Sequence, residues 1–134
     1  MDKNSILIVD DEAMNITALT QILKNDYKIY VEKDGFGCIE TAVELKPDLI
    51  LLDILMPAMD GFEVIKELKR TEVTKNIPVV FVTGLSNAND EERGFLLGAS
   101  DYIFKPFSSA MVKLRVANQI KIVNLEREVK RLKG

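Results

Sequence analysis

Residues 5–15 read SILIVDDEAMN. An unbroken apolar run at 6–9 leads directly into three acids, Asp10, Asp11 and Glu12. A near-continuous run of Val, Ile and Leu suits a strand covered on both faces, as in parallel sheets. Three adjacent carboxylates want water or a cation, and without either they repel one another. The stretch therefore predicts a buried strand whose far end opens onto a charged site.

Four more short apolar runs follow, at 27–31, 49–52, 79–82 and 102–104, with Pro47 and Pro78 just ahead of two of them. Proline is tolerated at the start of a strand. Helical patterns fill the gaps. Residues 13–25 align Ile16, Leu19 and Leu23; 36–45 align Ile39, Ala42 and Val43; 61–70 align Phe62, Ile65 and Leu68. Residues 88–98 carry Phe95 and Leu96 behind Asp90-Glu91-Glu92, an acidic start that suits a helix N-terminus. The last pattern runs from about Ser108 to Leu132. Strand followed by helix, five times, requires parallel strands with right-handed crossovers. The predicted fold is α/β: a flavodoxin-like (βα)5, doubly wound, five-stranded parallel sheet in the order 2-1-3-4-5, with an extended C-terminal helix.

With 134 residues, one domain is expected over 1–120, with 121–134 as a helical extension linking to an output domain. The chain is 47% hydrophobic and 29% charged, ordinary for a soluble globular protein. A net charge of −3 offers no basic excess for phosphates, so no direct nucleic-acid contact is expected. No signal peptide and no membrane-length apolar stretch is visible. The single cysteine, Cys38, cannot close an internal disulfide and is expected to pack as a small buried residue. These features fit a cytoplasmic protein. There is no histidine, so any chemistry must run on carboxylates, hydroxyls and lysine.

Ligands of such sheets bind beyond the carboxyl ends of the strands. Strand 1 ends in Asp10 and Asp11, strand 3 in Asp53, strand 4 in Thr83 and strand 5 in Lys105. Strand 2 ends with Glu32 and Lys33 but lies at an edge. Three carboxylates, a hydroxyl and an amine thus converge on one crevice. A hard divalent cation, Mg2+, would compensate the carboxylates together with Lys105. The site could then receive a phosphoryl group, whose oxygens need a metal, an ammonium and a hydroxyl donor.

These residues resemble the receiver domain of two-component response regulators. The matching motifs are LIVDDE, the DxxMPxMDG segment at 53–61, VVFVTG at 79–84 and GASDYIFKPF at 98–107. The resemblance runs from residue 5 to about 120 and implies roles residue by residue. Asp53 would be the phosphoacceptor, attacking a phosphohistidine of a sensor histidine kinase or phosphotransfer protein. Asp11 and Asp53 would bind Mg2+ directly with the backbone carbonyl of Leu55, while Asp10 would act mainly through metal-bound water. Thr83 and Lys105 would each contact a phosphoryl oxygen. Thr83 and Tyr102 would form the switch, and the Lys105–Pro106 peptide would be cis. Leu55 and Leu85 occupy the positions that flank the attacking water. Glu12 reads as a helix N-terminal charge, Asp60-Gly61 as a turn, and Met56 and Met59 as loop packing.

A flavin or nucleotide binder on the same fold would need a phosphate-cradling turn after strand 1, and Asp-Asp-Glu would repel phosphate instead. A phosphatase with an aspartyl-phosphate intermediate would want a second acid two residues after the nucleophile, where Leu55 stands. A stand-alone or degenerate receiver that only docks proteins is the alternative, although every charged site residue is present. The reading is a phosphorylation switch, not a turnover enzyme, signalling through helix 4, strand 5 and helix 5. In the tail, Ile122, Leu125, Val129 and Leu132 fall at a and d spacing, which predicts a phosphorylation-promoted homodimer.

Overall fold

In the computed structural model, which describes residues 3–134, the continuous apolar runs become the centre of one sheet. The elements in chain order are β1 (Ser5–Val9), α1 (Ala13–Leu23), β2 (Lys28–Glu32), α2 (Gly35–Leu45), β3 (Leu49–Leu52), α3 (Gly61–Arg70), β4 (Val79–Thr83), α4 (Ala88–Leu96), β5 (Asp101–Phe104) and α5 (Ser109–Lys133). All strand pairs are parallel, in the order β2-β1-β3-β4-β5. This is the predicted fold and strand order, with the C-terminal helix extended as expected.

Every residue of β3 and β4 is buried, as are the last four of β1. Successive side chains point to opposite faces, so one strand supplies both cores. Leu7, Val9, Ile50, Leu52 and Phe81 pack with Cys38, Ala42, Phe62, Ile65 and Leu68 from α2 and α3. Ile6, Ile8, Leu51, Val80 and Val82 pack with Ile16, Leu19 and Leu23 of α1 and with Val112, Val116 and Ile120 of α5. Each fully buried Val, Leu, Ile or Phe side chain among them contributes about 1.5–3 kcal/mol. Cys38 is buried, as expected, and burial pushes its thiol up to about 12.

Two predicted helix faces differ. Val43 lies on the exposed side of α2, whose buried residues are Gly35, Cys38 and Ala42. Phe95 and Leu96 are exposed, and Gly94 is the buried residue of α4. Here the closest approach of a helix to its neighbours is made at a residue without a side chain, with the Phe95 ring at its margin against Tyr102.

Among the described residues no helix is long and apolar enough to cross a membrane. The longest, α5, starts at the Ser108 cap, whose hydroxyl accepts from the Met111 N–H, and continues past residue 120 without a break. Beyond Ile120 it is tied to the lower edge of the sheet. Asn124 and Asn4 exchange side-chain amide hydrogen bonds, and Arg127 pairs with Asp48. Asp48 also accepts from the Ser5 backbone N–H at 2.8 Å, and burial notwithstanding, these donors hold its carboxyl below the usual range.

Candidate functional site

The parallel ladder fixes where each strand delivers its last side chain. Asp10 N–H donates to Glu32 O at 3.2 Å, Asp53 N–H to Val9 O at 3.0 Å, and Lys105 N–H to Thr83 O at 2.9 Å. Pairing therefore persists one residue past β1, β3 and β5, and their next side chains arrive together. The Lys105 ammonium donates to Asp10 Oδ2 at 2.9 Å and to Asp53 Oδ2 at 3.1 Å. Three strands meet in that one bridge, and both acids are almost wholly buried.

The remaining oxygens are also engaged. Asp10 Oδ1 accepts from the Glu12 N–H at 2.9 Å, and Asp53 Oδ1 from the Leu55 N–H at 3.3 Å. Burial pushes the Asp53 carboxyl up, the Lys105 charge pulls it back, and the nearby Asp10 carboxylate pushes it up again; the net direction is up. Burial lowers Lys105, but the Asp10 hydrogen bond and the Asp53 charge outweigh it, leaving the ammonium raised.

Asp11 is exposed at the rim. One carboxylate oxygen each from Asp10, Asp11 and Glu12 lie within 4.8 Å of one another. Glu12 is the N-cap of α1, the position expected of it, yet its side chain makes no cap hydrogen bond and joins the acids instead. The donor set is all oxygen, without thiolate or imidazole, which fits a hard cation such as Mg2+.

The loop after Asp53 returns tightly. Gly61 N–H donates to Ile54 O at 2.9 Å, and a Cβ on Gly61 would lie 2.5 Å from Asp53 O and 2.7 Å from Ile54 Cα. Only glycine admits that approach. Asp60, beside it, caps α3 in a reciprocal capping box with Glu63, so the expected turn is also a helix start. Met56 is buried, and Met59 packs against the core beside the loop.

Thr83 is fully buried at the end of β4, and its hydroxyl accepts from the Leu85 N–H at 3.2 Å. Tyr102 is buried too. Its hydroxyl donates to Asp90 O at 3.1 Å, and its ring stands 5.1–5.5 Å from the rings of Phe81, Phe95 and Phe104. Lys105–Pro106 is cis, as expected. Leu55 is exposed, and Leu85 is half-buried against the core. Asp10, Asp53 and Lys105 are thus in direct contact, Asp11 and Glu12 adjoin Asp10, and among the described residues Thr83 and Tyr102, on β4 and β5, make no hydrogen bond to these acids.

A family model described as the response regulator receiver domain matches residues 6–117. The chain belongs to this family. Phosphorylation and Mg2+ are typical of receivers. Among relatives, a Vibrio cholerae protein named "Probable cyclic di-GMP phosphodiesterase" is 47% identical over 112 residues, covering 84% of this chain and 25% of its own length. The response regulator PleD of Caulobacter vibrioides is 40% identical over 112 residues, covering 83% of this chain and 25% of its own. The chain thus spans about a quarter of the length of these relatives. Among solved structures, the receiver domain of a sensor histidine kinase from Pseudomonas aeruginosa is 27% identical with a TM-score of 0.82, over 89% of this chain and 98% of that one. That structure holds a magnesium ion in its active-site cleft.

Proposed function

We propose that this receiver is a phosphorylation switch in which Asp53 is the phosphoacceptor. The observation that carries the reading is the Lys105 ammonium held between the buried carboxylates of Asp10 and Asp53 at the ends of three strands. One Asp53 oxygen bonds to phosphorus as the N–P bond of a partner's phosphohistidine breaks, and the leaving imidazole keeps the bonding pair and takes up a proton. Lys105 is already placed to neutralise a phosphoryl oxygen. Thr83 accepts one hydrogen bond and keeps its own hydroxyl proton for another such oxygen. Asp10, Asp11, Asp53 and the Leu55 backbone carbonyl would hold Mg2+, which when bound offsets charge on the phosphoryl oxygens. Asp11 is exposed at the rim, which favours a direct role for it, with Asp10 acting through metal-bound water. Thr83 and Tyr102 relay the change to α4, β5 and α5, a two-state face biased by local electrostatics.

The partners under this reading are a sensor histidine kinase or phosphotransfer protein and, in the phosphorylated state, a second copy. Neither nucleic acid nor membrane is a direct partner, and the compartment is the cytoplasm. The receiver unit spans 1–120, and 121–134 lead to an output domain. The Vibrio relative's name favours an output that breaks a cyclic dinucleotide.

The test is incubation with acetyl phosphate and Mg2+. One phosphoryl group per chain, released by hydroxylamine and lost when Mg2+ is chelated, is expected; no label would end this reading. Asp11→Ala should weaken Mg2+ binding in calorimetric titration by more than roughly tenfold, the lower range of effects seen even for outer-shell partners. Unchanged affinity would remove Asp11 from the ligand set.

Leu55 and Leu85 bring no polar side-chain atom to the site, so neither can orient a water for attack on the acyl phosphate. Slow hydrolysis follows. Leu55→Asn with Leu85→Glu should shorten the lifetime by up to roughly 100-fold, the lower range of what a positioned acid–base group contributes. Phosphate release timed after removal of the donor checks this, and an unaltered lifetime would contradict it.

A further inference from the structure

The second half of α5 has two faces with different occupants. In the a and d register set by Ile122 and Leu125, Asn124 takes a c position and Arg127 an f position. These two hold the helix to its own domain, through Asn4 and Asp48. The a and d face turns away from that contact. Ile122, Leu125 and Val129 are 47%, 55% and 50% exposed, and Leu132 is 71% exposed. An apolar seam on a helix already anchored by its other side is a surface awaiting a partner.

We propose that the occupant of this seam is the same seam of a second copy, paired parallel and in register as a two-stranded coiled coil. This rests on the homodimer reading above and gives it a geometry. The first support is the choice of residues. The a positions are Ile122 and Val129, both β-branched, and the d positions are Leu125 and Leu132. β-branched residues at a with leucine at d favour two parallel strands. The second support is charge. Parallel pairing sets each g residue beside the e′ residue five further on. Lys121 then meets Glu126′, and Glu128 meets Lys133′. Both steps are attractive in both directions, four opposite-charge contacts with no like pair. Glu128 pairs with Arg131 on its own helix in the single chain, but that contact is exposed and of a kind worth little, so it does not prevent exchange.

The anchor makes the pairing consequential. Because Asn124 and Arg127 bind the helix to the base of β1 and β3, the extension moves with the domain as one lever. Pairing of the seams therefore sets the angle between two receivers and brings their Lys133 ends side by side. Two heptads are marginal alone, so the pair depends on further contact between the domains, which the phosphorylated face would supply.

The test uses the full chain with Leu125→Cys, oxidised with and without acetyl phosphate and Mg2+. Positions 121, 125, 126 and 130 are exposed, so substitutions there leave the fold intact. Cys38 is fully buried, and the unsubstituted chain gives the background. In the phosphorylated state, Leu125→Cys should form a covalent dimer, because d faces d′ only in parallel register. Lys130→Cys, at a b position, should not. Glu126→Lys should abolish dimers in sedimentation, and Lys121→Glu combined with Glu126→Lys should restore them. Equal cross-linking at 125 and 130, cross-linking of Leu125→Cys only with Val129→Cys, or monomers up to millimolar concentration would overturn the proposal. Labelling of Asp53 is read on the same samples. Labelled monomers sink the seam alone, and unlabelled dimers sink the phosphorylation reading alone.

Discussion

Asp53→Asn should abolish acyl-phosphate labelling completely and, at neutral pH, raise the melting temperature of the unmodified protein. The first effect follows from removing the attacking carboxylate. The second follows from its environment. Asp53 is 3% exposed, and burial together with the Asp10 carboxylate raises its carboxyl despite the Lys105 charge. A raised acid is easier to ionise in the unfolded chain than in the folded one. As pH rises from the ordinary value of 3.8, the unfolded state loses this proton first, so stability falls until the folded carboxyl has ionised, and stays lower above that. Asparagine removes this loss. Lys105 keeps its bond to Asp10 at 2.9 Å; in the wild type its raised ammonium contributes stability below 10.5 that is lost as pH climbs through the folded value, and the share owed to the Asp53 charge goes with the substitution. Calorimetry across pH should therefore show the mutant above the wild type at neutral pH, converging with it below about pH 4, the ordinary aspartate range. A hydroxylamine-sensitive label on the mutant would move the nucleophile elsewhere. A lower melting temperature would mean that the Lys105 bridge outweighs the burial cost.

The sheet was legible because β1, β3 and β4 are covered on both faces, which leaves nearly unbroken apolar runs. The edge strand β2 is shifted one residue from its expected span, since its mixed burial gives no such run. Helical periodicity tells which side chains share a stripe, not which stripe is covered. That is why Phe95 and Leu96 read as a face of α4 yet Leu96 lies outside and Phe95 is exposed apart from its edge contact with Tyr102, while Gly94 is the buried residue. At the site, asking what ends each strand locates Asp10, Asp53 and Lys105, because parallel strands in register deliver their ends to one edge. It does not reveal that Glu12 leaves its capping role to join the acids. The pairs Asn4–Asn124 and Asp48–Arg127 lie 120 and 79 residues apart and follow no local pattern, so only the folded chain exposes the anchor of α5. Gly61 was visible as part of a turn, but the reason for it, the backbone of Asp53 and Ile54 against its Cα, is tertiary.

Gly94→Ala should expel Tyr102 from its seat on α4. A Cβ at residue 94 would overlap the Tyr102 hydroxyl and come within 2.8 Å of its Cζ and 3.1 Å of Phe81 Cε2. Phe81 is fully buried between the helices and cannot give way. Tyr102 can, because β5 is the last strand of the sheet and rotation about its Cα–Cβ bond carries the ring toward solvent. Alanine is favoured over glycine within a helix by about 1 kcal/mol, which offsets part of the roughly 1–3 kcal/mol cost of overpacking. The variant should therefore fold, with the ring outside. Its phenol reports the move. In the wild type, burial and the charges of Glu91 and Asp90 push it from 10.0 up to about 12, so stability declines as pH rises across that interval. Out in solvent burial, the largest cause, is gone, and ultraviolet titration should show this tyrosine ionising well below 12, toward 10.0, with the stability decline correspondingly smaller. The hydrogen bond to Asp90 O is lost as well, which frees the start of α4. Under the switch reading, the unphosphorylated variant then presents an altered α4–β5 face, measurable as changed partner affinity without any label on Asp53. If α4 shifted instead and the ring stayed, the phenol would still titrate near 12, and Gly94 would be a packing detail with no hold on the switch.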